Sequence, residues 1–265
     1  MHMNTIQSFM EHQLASGQYF FTKELAQATL NLSDNAFHLQ IKRSYKKGNV
    51  VLLGHGFYVI VAAEYRHYGC IPTHWIIDPY FHHIQKNYYV GLLSAATFYG
   101  ATQQQPMVFQ VMVDQVRRPI FLPKETRMVF HLQQHLQQAK VQEVKTPTGY
   151  TRFSTREQTI VDLISFHKQA GYLNNVAIII RDLLDDIHPE NMTEVLNLVK
   201  ETTILQRLGY IWDMLGASHL SLLVQSTLQN RKVFRTLLRP EVPCKQGPLD
   251  DKWCLTINDT LELDA

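Results

Sequence analysis

Two short helical patterns, three residues apart and followed at once by a glycine-bracketed β pattern, constrain this chain more than any other feature. Thr22 precedes the stripe Leu25, Ala26 and Leu30. Asn31-Leu32 marks a turn. Ser33 then opens a run that continues to Lys47 and stops at Gly48. Thr and Ser accept a hydrogen bond from the unpaired N–H groups of a first helical turn, and Gly takes the left-handed backbone that ends one. Upstream, Ile6, Phe9, Met10 and Leu14 form the apolar stripe of another helix, ended by Gly17. Two helices joined so tightly read as a helix-turn-helix, with the second as the one that enters a major groove. Val50–Leu53 and Phe57–Val61 flank Gly54-His55-Gly56, the pattern of a hairpin. The expectation for residues 1–62 is therefore a winged helix-turn-helix.

A wheel drawn on the third helix divides its residues. Phe37, Ile41, Ser44 and Tyr45 gather on one side and are expected to pack inward; Leu39 falls among the polar set, where it either touches a thymine methyl or, the favoured assignment, packs against the wing. Asn35, His38, Lys42, Arg43, Lys46 and Lys47 gather on the other. Between Asn35 and Lys47 there are four cations and no acid. With Ser33 at the helix start and His55 at the wing tip, these eight residues are the expected contacts to double-stranded DNA, cations on phosphates and amide or imidazole groups on base edges. The competing interpretation is a three-helix module used only for protein contacts, its basic face merely solvated.

Beyond this module, residues 63–79 carry Gly69, Pro72 and Pro79 without a clean period and read as a connector. Residues 80–265 read as a larger mixed α/β domain, a β-sheet flanked by several helices, so the chain as a whole is α+β. Tyr88–Tyr99 is expected to be a buried helix. Strands are expected at 107–113, near Ile120, and at 127–132, 141–144 and 150–153. A capping box at Ser154–Glu157, with Ser154 as cap, opens a further helix. More helices are expected at 173–184, 192–200, 204–215 and 220–229, with a last strand at 253–258.

The chain has 265 residues, 45% apolar, and three widely spaced cysteines, Cys70, Cys244 and Cys254. That odd count suits a reducing compartment. No run is long enough to span a membrane and the N-terminus lacks a signal-peptide layout, so a cytoplasmic location is expected. Neither a phosphate-binding glycine loop nor a nucleophile elbow appears. His67, Cys70, His74, His82 and His83 cluster, but with no closed zinc-ligand spacing. No catalytic residue, cofactor or metal is expected. The alternative is a metal-dependent nuclease with a DNA-targeting winged helix, in which Asp114 and Glu143 hold a divalent cation and Lys145 stabilises developing charge.

Blocks along the chain resemble the AbiEi family, antitoxins of type IV (AbiE) toxin–antitoxin systems. They are TKELAQA (22–28) through GFYVIV (56–61), YYVGLLSAATFYGATQQQPMVFQVMV (88–113), RFSTREQTIVDLI (152–164), LGYIWDMLG (208–216) and KWCLTIND (252–259). Gln103 stands where the family pattern leads one to expect a histidine. The resemblance implies a transcriptional repressor that binds inverted repeats in its own promoter. It also implies a C-terminal domain that counteracts a nucleotidyltransferase-like toxin, whether by gripping it or indirectly. The family's recognition face falls on the third helix, and no catalytic residues are implied.

Overall fold

The computed structural model describes residues 4–102, 108–124 and 126–263, so the Gln103 position lies outside the described residues. The helices are α1 (Ile6–Ala15), α2 (Lys23–Leu30), α3 (Asp34–Lys46), α4 (Thr73–His83), α5 (Leu92–Phe98), α6 (Arg156–Ser165), α7 (Tyr172–Leu183), α8 (Pro189–Leu198), α9 (Thr202–Met214) and α10 (Ser218–Leu228). The strands are β1 (Phe20–Thr22), β2 (Val50–Gly54), β3 (Phe57–Ile60), β4 (Tyr88–Val90), β5 (Val108–Val113), β6 (Ile120–Phe121), β7 (Arg127–Leu132), β8 (Val141–Thr146), β9 (Gly149–Ser154), β10 (Thr236–Leu237), β11 (Leu249–Asp250) and β12 (Leu255–Thr256). The fold is mixed α+β. By their contacts the residues form two units: Met1–Tyr89 with Met107–Leu136 and Glu143–Arg152, and Val90–Pro106 with Gln137–Gln142 and Phe153–Ala265.

In the first unit, α1, α2 and α3 enclose a core of Ile6, Phe9, Met10, Phe21, Ala26, Phe37 and Ile41, closed by Val50, Tyr58 and Ile60 of a three-stranded antiparallel sheet ordered β1-β3-β2. Rings interlock there: Phe9 meets Phe21 edge-on at 5.3 Å, and Phe21 stacks on Tyr58 at 5.3 Å. A second sheet has the order β6-β7-β5-β4-β9-β8. Within it β5 and β7 run parallel from Val108↔Arg127 to Val113↔Leu132, and β6 is antiparallel to β7.

The segment 63–79 is not wholly irregular, because α4 begins at Thr73 and contains Pro79. Proline donates no N–H, so the carbonyl four residues earlier, on Trp75, loses its helical partner. The Thr148 hydroxyl donates to that carbonyl instead, and Thr151 Oγ1 donates to the next one back, on His74, at 2.5 Å. Two threonines outside the helix thus make a proline inside it tolerable.

Two expectations need correction at the entry to the second unit. Tyr88–Tyr99 is not one helix. Tyr88, Tyr89 and Val90 are strand, Gly91 is the N-cap, and the helix starts at Leu92. All three strand residues are buried, and such an unbroken apolar run does not reveal its period. The cap of α6 is Thr155, whose hydroxyl accepts from the Gln158 N–H, and not Ser154. Ser154 ends β9, fully buried, with its Oγ 2.7 Å from Thr159 Oγ1. Glu157 does not complete a capping box; its carboxylate accepts from the His188 N–H at the start of α8.

The last strand is also shorter than expected, two residues in a small sheet ordered β10-β12-β11. Helix α9 clasps this region. Gln206 Nε2 donates to the carbonyls of Phe234, Trp253 and Cys254, and Arg207 donates to those of Leu237 and Leu238. Trp253 Nε1 donates to Asp213 at 2.7 Å, and Lys252 pairs with the same carboxylate at 2.6 Å. The Trp253 ring lies over Gly209, where a methyl group would overlap it.

Two outcomes test these readings. Thr148→Val strands the Trp75 carbonyl and should destabilise the protein by about 1–3 kcal/mol in urea unfolding. In a Pro79→Ala background, where residue 79 again donates, the same change should cost distinctly less. Gly209→Ala should destabilise by about 1–3 kcal/mol through overpacking against Trp253, lowering Tm, and the loss should shrink when Trp253 is replaced by Leu.

Candidate nucleic-acid interface

Helix α2 ends at Asn31, whose φ of +49° turns the chain into the left-handed region. Ser33 N-caps α3, its hydroxyl accepting from the Ala36 N–H at 3.4 Å. The turn between the helices is thus three residues long. Phe37, Ile41 and Ser44 are buried beneath α3, and that burial fixes its rotation.

All eight sequence-predicted contact residues are exposed. Asn35, His38, Lys42 and Lys46 fall at i, i+3, i+7 and i+11, one stripe about 16 Å long at 1.5 Å per residue. Arg43 flanks the stripe, and Lys47 is the C-cap. Ser33 stands at the opposite end. His55 sits apart from α3, on the loop between β2 and β3.

Two residues of α3 depart from expectation. Leu39, assigned to packing against the hairpin, is 56% exposed, and Tyr45, assigned to the inner face, is 60% exposed. Leu39 lies two positions from both Phe37 and Ile41, which at 100° per residue places it almost opposite the buried stripe. Tyr45 falls at the edge of that stripe, where the helix runs out of core. Both therefore join the outer face, adding an apolar and an aromatic side chain to the cations.

The acid nearest this face in sequence is held out of play. Asp34 accepts from Gln27 Nε2 at 2.7 Å and lies 3.0 Å from Lys23 Nζ. The Gln27 hydrogen bond, then that from Lys23, lowers its pKa below the ordinary 3.8. Its charge is thereby turned toward α2.

The hairpin tip is fixed from two sides. Gly54, His55 and Gly56 have φ of +107°, +52° and +71°. Lys23 N–H donates to the Gly56 carbonyl at 2.8 Å. His83 Nε2 of α4 lies 2.8 Å from the His55 carbonyl oxygen, and the Phe57 ring meets Tyr80 and His83 at 5.8 and 5.5 Å. Since Lys23 also holds Asp34, the tip and the N-terminal end of α3 both adjoin the start of α2. The contact of His83 was not readable from sequence, because it uses a backbone carbonyl 28 residues away.

The nuclease constellation is not assembled. Asp114 follows β5, while Glu143 and Lys145 lie on β8, with β4 and β9 in between. Three strand spacings put these groups about 14 Å apart, too far to share a cation. The His/Cys cluster also fails to converge: among the described residues no three His, Cys, Asp or Glu side chains form a metal-sized group. Cys70 is buried, and that burial pushes its thiol up to about 11, away from nucleophilic use. Among the described residues no helix is long and apolar enough to cross a membrane.

Protonation of Asp34 gives this surface a measurable signature. A carboxyl whose folded pKa is depressed contributes stability above its unfolded pKa and loses it as pH falls through the folded one. The Asp34 carboxyl should titrate below 3.8 by NMR, and both Gln27→Ala and Lys23→Ala should move it back toward that value.

The structure is similar to the crystal structure of the RV2827C protein from Mycobacterium tuberculosis, with a TM-score of 0.68 and 14% sequence identity, over 94% of this chain and 89% of that one. At that identity the likeness concerns the fold alone. No curated protein sequence matches this chain. Residues 89–214 match the family described as the AbiEi antitoxin C-terminal domain. The matched span holds α5 and α6, whose polar residues are built into the interior, and the α9 positions that clasp the small sheet. Over residues 89–214 the chain is thus similar to the C-terminal domain of the AbiEi antitoxins.

Proposed function

We propose that this protein is a DNA-binding repressor and antitoxin: that α2, α3 and the β2–β3 hairpin act as a winged helix-turn-helix on inverted repeats in its own promoter. The observation that carries the reading is the outer face of α3. Lys42, Arg43, Lys46 and Lys47 are all exposed there, beside Asn35 and His38, and Asp34, the acid at the start of α3, is turned toward α2. Such a face pairs phosphate-binding cations with side chains able to read base edges. The exposed Leu39 adds an apolar group suited to a thymine methyl. The antitoxin domain implies a toxin as partner, and we take it to be the nucleotidyltransferase-like protein of the AbiE systems, met in the cytoplasm. No enzymatic role is proposed.

Binding through phosphates releases counterions, so affinity for a promoter fragment should fall steeply with salt. Four cations on α3 predict a slope of about −3.6 in log K against log salt per protein chain. Lys42→Ala with Arg43→Ala should reduce that slope by about half and weaken the gel shift at least tenfold, with unfolding unchanged. Absence of any shift with upstream fragments at low salt would sink the reading. Co-purification with the product of the adjacent gene separates a directly gripped toxin from one antagonised at a distance.

A further inference from the structure

Helix α4 is used on two sides. Tyr80 and His83 hold the hairpin through Phe57 and the His55 carbonyl. Asp78, Phe81 and His82, at i, i+3 and i+4, instead line an open cleft of about 330 Å³, completed chiefly by Lys86, Tyr88 and Arg152. That volume lies at the lower end of the small-ligand range, about 300–1,000 Å³.

The chemistry of the cleft is mixed in an informative way. Lys86 and Arg152 bring two permanent cations against one carboxylate. Among the described residues neither cation has a carboxylate within ion-pair distance; the Arg152 guanidinium lies 6.0 Å from the Tyr88 ring centre. Asp78 is held in place by the Tyr88 hydroxyl, which donates to its Oδ1 at 2.8 Å. That bond occupies one lone pair and leaves acceptor capacity on the carboxylate. The Phe81 and Tyr88 rings, 4.8 Å apart, form an apolar floor. A bare anion would gain from the cations and lose against Asp78. A ligand carrying both a phosphate and free hydroxyls satisfies both: guanidinium and ammonium on the phosphate, carboxylate on the hydroxyls.

We propose that this cleft binds a small phosphomonoester bearing vicinal hydroxyls, a sugar phosphate or nucleoside monophosphate, and that α4 relays its occupancy to the β2–β3 hairpin. Only the regulatory meaning of that relay rests on the proposed DNA contact; binding and relay are measured without DNA.

Ribose 5-phosphate is the probe, with inorganic phosphate and ribose as comparators, titrated calorimetrically into the full chain. Ribose 5-phosphate should bind at least tenfold more tightly than either comparator. Lys86→Gln and Arg152→Gln should each weaken it at least fivefold, with thermal unfolding unchanged. Asp78→Asn should reduce the preference over inorganic phosphate. At saturation, amide hydrogen exchange across residues 50–60 should slow. Equal binding of phosphate and ribose 5-phosphate overturns the ligand class, as does native affinity in both cation variants. Unchanged exchange in the hairpin overturns the relay. A lysine at position 86 is exposed, so its variant stays informative if the Arg152 change disturbs folding.

Discussion

The burial of Phe37 governs what the N-terminal part of this molecule can present. Its ring sits within the aromatic cluster of α1, β1 and β3, meeting Tyr58 edge-on at 5.6 Å. A helix has one rotational freedom about its axis, and a fully buried aromatic one-third of the way along removes it. With Phe37 inward, Ile41 and Ser44 follow, and the direction of every other α3 side chain is set. The outward cations thus owe their common direction to an apolar contact, not to one another. Like charges along one face repel, and packing of this kind, about 1.5–3 kcal/mol for a buried large apolar side chain, keeps them aligned.

In the second unit a different device recurs: buried polar side chains complete backbone that regular structure leaves unpaired. Gln206 and Arg207 of α9 donate to five carbonyls of β10, β12 and their flanks. Asn258 bonds the Arg239 N–H through Oδ1 and donates to the Arg239 and Cys244 carbonyls. Tyr99 donates to the Ser154 carbonyl and accepts from Gln142, while Arg156 covers its ring at 4.6 Å. Strands of two residues form few ladder bonds, and an unpaired buried carbonyl costs about 1–3 kcal/mol. These side chains make such short strands tenable. They also give a structural reason for Asn258 in the KWCLTIND block.

How far this was legible in the sequence depended on period and distance. α7 through α10 announced themselves by apolar spacing, α6 by a cap placed one residue early, and β5, β7, β8 and β9 by β-rich runs near their observed limits. Tyr88–Val90 did not, because three buried residues have no alternation to display. α4 was hidden by Pro79, whose compensation comes from Thr148 and Thr151, some 70 residues on. Strand order was equally invisible, so Asp114, Glu143 and Lys145 looked compatible until β4 and β9 were seen between them. On α3 the arithmetic of the wheel already placed Leu39 outward; only the assumption that a leucine must be covered led elsewhere.

The hairpin tip carries one more consequence. Three successive residues with positive φ, tied through Gly56 to α2 and through His55 to α4, form a loop with little conformational freedom left. Ordering a backbone residue costs about 1–2 kcal/mol in entropy, and here that cost falls on folding. Whatever His55 touches meets a preorganised group, so association there carries no loop-ordering entropy, unlike that of a floppy arm. The same stiffness restricts what can replace it. Position 55 suits residues that accept the left-handed region, such as asparagine, aspartate or glycine, and a β-branched side chain there would strain the tip before it met any partner.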